Sequence, residues 1–232
     1  MSEHDVLICL KDVSLSYRVR EGIFKWSKYS PLQDISFDLR RGETVGIIGR
    51  NGVGKSSLLR LIAGILEPDH GHIINYGARI SLLSLGAGFV PHLSGRQNAI
   101  LSGMLLGLHR SEIAQKMEAI IDFSDLGQFI DRPLRTYSAG MRARLGFSVA
   151  IQVDPDVLLI DEVLGVGDEE FRKKSSTEMK RLIKSDKTVV LVSHNLPTVK
   201  ELCDKVVWLE HGVIKAEGPT ETLLKLYANN KV

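Results

Sequence analysis

Residues 49–56 read GRNGVGKS and follow directly on the short apolar segment 44–48. The string satisfies G-x-x-x-x-G-K-[ST], and its place between a strand and the head of a helix is the context in which that spacing forms a phosphate cradle. Gly49, Gly52 and Gly54 open backbone conformations closed to residues with a Cβ, so that consecutive N–H groups can converge on phosphate oxygens. Arg50, Asn51 and Val53 fill the loop between them, and Ser56 and Ser57 follow the lysine. The helix that starts near Lys55 and ends by Gly64 adds the positive end of its dipole. Lys55 supplies a full charge to β- and γ-phosphates, and the Ser56 hydroxyl is a ligand for Mg²⁺.

The rest of the chain surrounds this unit with alternating strands and helices. Val6, Ile8, Leu10, Val13, Leu15 and Tyr17 keep a period of two and read as half-buried strands, and a further strand fits 35–39. Between them, residues 18–31, with Phe24, Trp26, Tyr29 and several cations, read as an insertion. Residues 86–153 are helical, with helices expected at 95–107, 111–124 and 139–153. Beyond them the pattern returns to strand 157–160, helix 169–184, strand 188–192, helix 197–203, strands 205–209 and 213–216, and a last helix 219–228. Such alternation implies an α/β fold with buried parallel strands. The expected division is one domain, with a core of residues 1–85 and 154–232 and a helical subdomain of 86–153.

Composition narrows the class. With 30 Lys+Arg against 28 Asp+Glu, the formal charge of +2 is too small and too evenly spread for a nucleic-acid footprint. The apolar runs, such as 157–160 and 189–192, fall far short of the roughly 20 residues a membrane span needs. Residues 1–5 are polar and acidic rather than a basic start to an apolar stretch, so a cytoplasmic protein is expected. Cys9 and Cys203 match no ligand spacing and read as reduced thiols.

A second acidic site answers the phosphate loop. VLLIDE at 157–162 is an apolar strand that ends in two carboxylates. Successive side chains on a strand point to opposite faces, so Asp161 and Glu162 divide the work. Asp161 is expected to serve Mg²⁺, largely through water, and Glu162 to act as base or orienter for the attacking water.

GRNGVGKS, YSAGM at 137–141, VLLIDE and His194 in LVSHN occur in the order and spacing of the ATP-binding cassette (ABC) ATPases, which the chain resembles over nearly its whole length. The resemblance implies the P-loop ABC ATPase fold, with an antiparallel β subdomain and an inserted helical subdomain, and ATP with Mg²⁺ as ligands. Tyr137, Ser138, Ala139, Gly140 and Met141 are a variant of the family's L-S-G-G-Q signature that keeps Ser138 and Gly140. A hydroxyl and a glycine N–H at a helix N-terminus form a second anion site. The resemblance implies a head-to-tail dimer in which each ATP lies between residues 49–57 of one chain and 138–141 of the other. It further implies that His194 contacts the γ-phosphate and the attacking water, that Asp168 lies in the loop touching the opposite subunit, and that Tyr17 stacks on adenine.

Departures from the common pattern point to one branch. Aligning FVPHLSGRQN with the family's L-F-P-x-L-T-V-x-E-N puts Leu85, or a neighbour, where a Gln is usual. LLSLGAGFVPHLSGRQN at 82–98, VLGVGD at 163–168, YSAGMRARL and the long segment 18–31 together resemble the ATPases of bacterial exporters of O-antigen, capsule or teichoic acid. Importers and lipid exporters share all the catalytic residues, and only the variant loops argue against them. The chain stops at Val232, so a C-terminal β-sandwich for glycan recognition is not expected here. The resemblance implies a separate integral membrane permease, a lipid-linked polysaccharide as cargo, no nucleic acid, and a peripheral position on the cytoplasmic face of the inner membrane.

Overall fold

The structure, a computed structural model, describes residues 5–20, 22, 26–161 and 167–230. Its contacts divide the chain into two units. One comprises Met1–Leu82, Asp156–Glu162 and Ile183–Val232, the other Leu83–Pro155 and Val163–Leu182. The described residues 167–182 thus lie with the helices, whereas the sequence pattern groups them with the core. The physical reason is aromatic: Phe171 packs edge-on against both Phe123 and Phe147 at ring separations of 5.7 and 6.1 Å.

The first unit holds two sheets. In the larger, the order is β5 (Ile80–Leu82), β6 (Val157–Asp161), β7 (Thr188–Val192), β3 (Thr44–Ile48), β8 (Lys205–Glu210) and β9 (Val213–Pro219). All neighbours are parallel except β8 and β9. β3 and β7 are buried at every position, which is why they read as unbroken apolar runs rather than as alternation. The smaller sheet is antiparallel, with β1 (Val6–Arg20) between β2 (Trp26–Arg40) and β4 (His70–Asn75). Helix α1 (Lys55–Ile62) packs Leu58, Leu59, Leu61 and Ile62 into the core these strands share. β4 and β5 were not anticipated, because three to six residues between turns carry too little periodicity to register.

Among the described residues of 18–31, the expected insertion is strand: 18–20 continue β1 and 26–31 belong to β2 in one antiparallel ladder, with Tyr17 opposite Tyr29, Arg18 opposite Lys28 and Arg20 opposite Trp26. The outer part of this arm faces solvent, Trp26 being 62% exposed. Phe24 and Lys25 lie outside the described residues.

The second unit contains α2 (Gly95–Leu105), α3 (Arg110–Ser124), α4 (Ala139–Ala150) and α5 (Glu169–Ile183), with short 3₁₀ turns at Gly127–Asp131 and Leu134–Thr136. Ile113, Ile120, Leu145 and Val149 centre its core. Ser94 and Gln97 cap α2 reciprocally, satisfying two backbone donors that a helix start leaves open. Asn98, fully buried, organises the preceding loop. Its Oδ1 accepts the Val90 N–H at 2.6 Å, and its Nδ2 faces the carbonyls of Val90, Leu93 and Ser94 at 2.9–3.1 Å. Leu85 lies in the turn before that loop. Gly146 of α4 meets this turn backbone to backbone, where a Cβ would come within 2.7 Å of the Gly86 nitrogen.

Removing the Asn98 amide strands buried backbone groups, each worth roughly 1–3 kcal/mol. Asn98→Leu is therefore expected to lower stability by about 2–3 kcal/mol, read as a fall in the urea midpoint, whereas Gln97→Ala at the exposed cap should cost about 1 kcal/mol or less.

Candidate functional site

In an open parallel sheet, the carboxyl ends of the strands are where a crevice for ligands opens. β3, β6 and β7 deliver Gly49, Asp161 and Ser193 to that edge. Gly49 leaves β3 at φ +152°, and a Cβ there would lie 2.4 Å from the Leu209 carbonyl oxygen. Gly54 sits at φ +107° with the Pro31 carbonyl oxygen 2.6 Å from where its Cβ would be. A side chain at either position would push the loop off β8 or β2. Between them the loop is closed by a Val53 N–H to Arg50 carbonyl bond of 3.3 Å.

Lys55 is only 7% exposed, and its Nζ donates to the carbonyls of Gly49 and Arg50, both at 3.0 Å. The loop therefore curls around its own cation, and the N–H groups at the head of α1 open onto the same space. A cavity of about 560 Å³ there is lined by Asn51, Gly52, Gly54, Lys55, Ser56, Ser57 and Asp161, with Tyr29, Pro31 and Val192 as its other walls. Ser56 is exposed and Asp161 half-buried. A hydroxyl and a carboxylate on one cavity wall form the hard oxygen set that Mg²⁺ prefers. Asp161 is paired in register with Val192, so His194, two residues on, emerges beyond the end of β7. His194 is exposed and borders an adjoining cavity of about 400 Å³ with Gly49, Arg50 and Asn51. Glu162 lies outside the described residues.

Tyr17 is half-buried, packs against the core, and its hydroxyl lies 3.1 Å from the Ser57 Oγ. It does not line the loop cavity. Tyr29 does: the residue is 47% exposed, and its hydroxyl donates to the Gly52 carbonyl. Sequence reasoning missed this residue. The only signal was an aromatic within segment 18–31, and its partner across the ladder could not be known without the register of the arm.

The helical unit carries the other nominated residues. Ser138 caps α4, its Oγ accepting the Met141 N–H at 3.1 Å. A hydroxyl that accepts one bond retains a proton to donate. Ser138 and Ala139 are exposed, and Gly140 and Met141 partly so, which leaves the positive end of a 12-residue helix accessible. Beneath them Tyr137 is buried and hydrogen-bonded through its hydroxyl to the Phe129 carbonyl. Asp168 heads α5, one oxygen accepting the Phe171 N–H at 3.0 Å and the other held by Arg144. The Phe171 N–H, followed by the Arg144 guanidinium, holds its carboxyl below the usual carboxylate range, so it is ionised at neutral pH.

Comparison with known proteins agrees with this geometry. The "ABC transporter" family matches residues 32–165. The chain is 46% identical over 224 residues to the O-antigen export system ATP-binding protein RfbB of Klebsiella pneumoniae, covering 97% of this chain and 91% of that one. It is 45% identical to the protein of the same name from Myxococcus xanthus, covering 95% of this chain and 55% of the relative. It is also 45% identical to the teichoic acids export ATP-binding protein TagH of Lactococcus lactis, covering 84% and 42% respectively. Among solved structures, an ATP-binding subunit of an ABC transporter superposes with a TM-score of 0.74 at 23% identity, covering 96% of this chain and 93% of that one. A dimeric ATP-binding cassette in a post-hydrolysis state with ADP and Pi does so at 0.72 and 20%, covering 92% and 98%. From the loop, the strand ends and this match over more than half its length, the chain belongs to the ABC transporter family.

Proposed function

We propose that this chain is the ATP-hydrolysing subunit of an exporter that moves a lipid-linked cell-surface polysaccharide, of the O-antigen, capsule or teichoic acid type, across the inner membrane. The observation that carries the energy step is the cavity at the ends of β3 and β6, where Lys55, Ser56 and Asp161 face one space beside the phosphate loop. The export step rests on the likeness to O-antigen and teichoic acid export proteins.

The triphosphate of ATP is bound by the loop from Gly49 to Ser57, with Arg50, Asn51 and Val53 contributing backbone and Lys55 its charge. Ser56 and Asp161 would hold Mg²⁺, which when bound neutralises charge on the phosphates. Glu162 takes the role of base toward the attacking water, His194 contacts the γ-phosphate, and Tyr17 supports the adenine. Ser138, Ala139, Gly140 and Met141 of a second copy complete the site over the γ-phosphate, and Asp168 supports the contact between copies. Preorganised donors of this kind stabilise the charge that develops in the transition state, and losing one costs about 10²–10³ in rate.

The cargo and its path are assigned to a separate membrane subunit on the likeness to ATP-binding proteins of export systems; among the described residues no helix is long and apolar enough to cross a membrane. The chain would dock to it on the cytoplasmic face. The arm made by β1 and β2 is placed at the membrane or the permease. Trp26, Arg18 and Lys28 line a cleft of about 710 Å³ on it with Asp69 and His70, and an aromatic flanked by cations suits an interface.

Lys55→Ala and Glu162→Gln should each reduce ATP turnover by at least about 10²-fold, with Glu162→Gln still binding ATP and accumulating as a closed dimer on gel filtration. Normal hydrolysis by either variant would refute the assignments. Trp26→Ser should leave basal ATPase intact and reduce surface polysaccharide, measured by antibody labelling of whole cells. Unchanged labelling would remove the arm from the export step.

A further inference from the structure

The phosphate loop is held from outside by two tyrosines that face each other across the β1–β2 ladder. The Tyr17 hydroxyl reaches the Ser57 Oγ in the first turn of α1, and the Tyr29 hydroxyl donates to the Gly52 carbonyl in the loop itself. The second bond acts on a single peptide plane. The carbonyl of Gly52 and the N–H of Val53 belong to the same planar unit and point in opposite directions. Tyr29 fixes the carbonyl end, and the Arg50 carbonyl accepts from the N–H end at 3.3 Å. Gly52 itself, at φ +80° with no atom within 4 Å of a would-be Cβ, has no packing of its own to hold it. The orientation of this peptide, and with it the direction in which the next N–H points, is therefore set by two bonds, one of them from a side chain of the arm.

We infer that Tyr29 is a positioning residue for the triphosphate: through the Gly52 carbonyl it holds the phosphate loop in its anion-receiving shape and ties the arm to the occupancy of the loop. The inference rests on reading the loop as the ATP site. Binding a triphosphate draws the loop N–H groups toward the oxygens, which moves the 52–53 peptide and pulls on the strand that ends at Trp26. Trp26 is 62% exposed whereas Trp208 is 2% exposed, so the arm carries its own reporter. Removing the hydroxyl leaves the ring and the ladder in place but leaves the peptide held only by the 3.3 Å bond to the Arg50 carbonyl, and the triphosphate must then order it further on binding.

The test compares the unaltered protein, Tyr29→Phe and Trp26→Phe by titration with ATP and with inorganic tripolyphosphate, each with Mg²⁺. Loss of one neutral hydrogen bond corresponds to a fold-change of about three to ten. Tyr29→Phe is expected to weaken both ligands by that factor, because the hydroxyl acts on the phosphates rather than the base. It should raise KM for ATP with kcat and melting temperature unchanged. Tryptophan fluorescence should change on ATP binding in the unaltered protein, lose that change in Trp26→Phe, and show a smaller one in Tyr29→Phe. Wild-type affinity of Tyr29→Phe for both ligands would overturn the inference alone, and so would a loss confined to ATP. Failure of the unaltered protein to bind either ligand would instead overturn the ATPase reading on which it rests.

Discussion

A lysine ammonium that is 7% exposed would be prohibitive in an apolar interior without partners, and here it is surrounded by the carbonyls of the loop that precedes it. Carbonyls turned toward Lys55 require the intervening peptides to adopt conformations that only glycine reaches cheaply, hence the positive φ angles at Gly49, Gly52 and Gly54. The same curl directs the head of α1 at the cavity. Because β3 is the strand from which the loop springs, and its neighbours β7 and β8 lie on either side of it, the rest of the sheet serves to hold that strand end in place.

The buried parallel strands explain where the acidic and polar partners stand. A strand covered along its length can present a carboxylate only at its end, and β6, buried at its first four residues, does so with half-buried Asp161. The helical unit solves a different problem, that of exposing a helix N-terminus without fraying it. Ser138 caps it, buried Tyr137 pins the approach, and the Arg142 guanidinium donates to the Tyr137 carbonyl at 3.0 Å. Behind it, Arg144 and Lys174 both pair with Asp125 and lie over the Phe171 ring at 5.2 and 6.0 Å. This joins α3, α4 and α5 and fixes Asp168 at the head of the last of them.

The arm changes how the loop is understood. As an insertion, residues 18–31 would be an accessory to the core; instead residues 18–20 and 26–31 continue β1 and β2, and these strands bring Tyr17 and Tyr29 to Ser57 and Gly52. A strand pair transmits displacement along its length, because its hydrogen bonds fix register residue by residue. The arm thereby borders both the surface cleft bearing Trp26 and the cavity beside the loop that follows β3.

Much of this was legible in the linear chain. GRNGVGKS, VLLIDE and YSAGM each encode a local geometry, glycine freedom, strand burial or helix capping, that a few adjacent residues dictate without reference to the remainder. The sequence by itself thus determined the α/β class, the glycine-rich loop between β3 and α1, the carboxylate at the strand end and the capped helix. What it left open depends on contacts between residues distant in the chain. The placing of 167–182 with the helices follows from Phe171 meeting Phe123 and Phe147. The pairing of Tyr17 with Tyr29 follows from a register with shifts at Val6, Leu10, Val13 and Leu15, and a one-residue slip would turn each side chain to the other face. Only the tertiary structure could decide that Tyr29 borders the loop cavity and Tyr17 does not, because strand alternation states which residues share a face and not what that face meets.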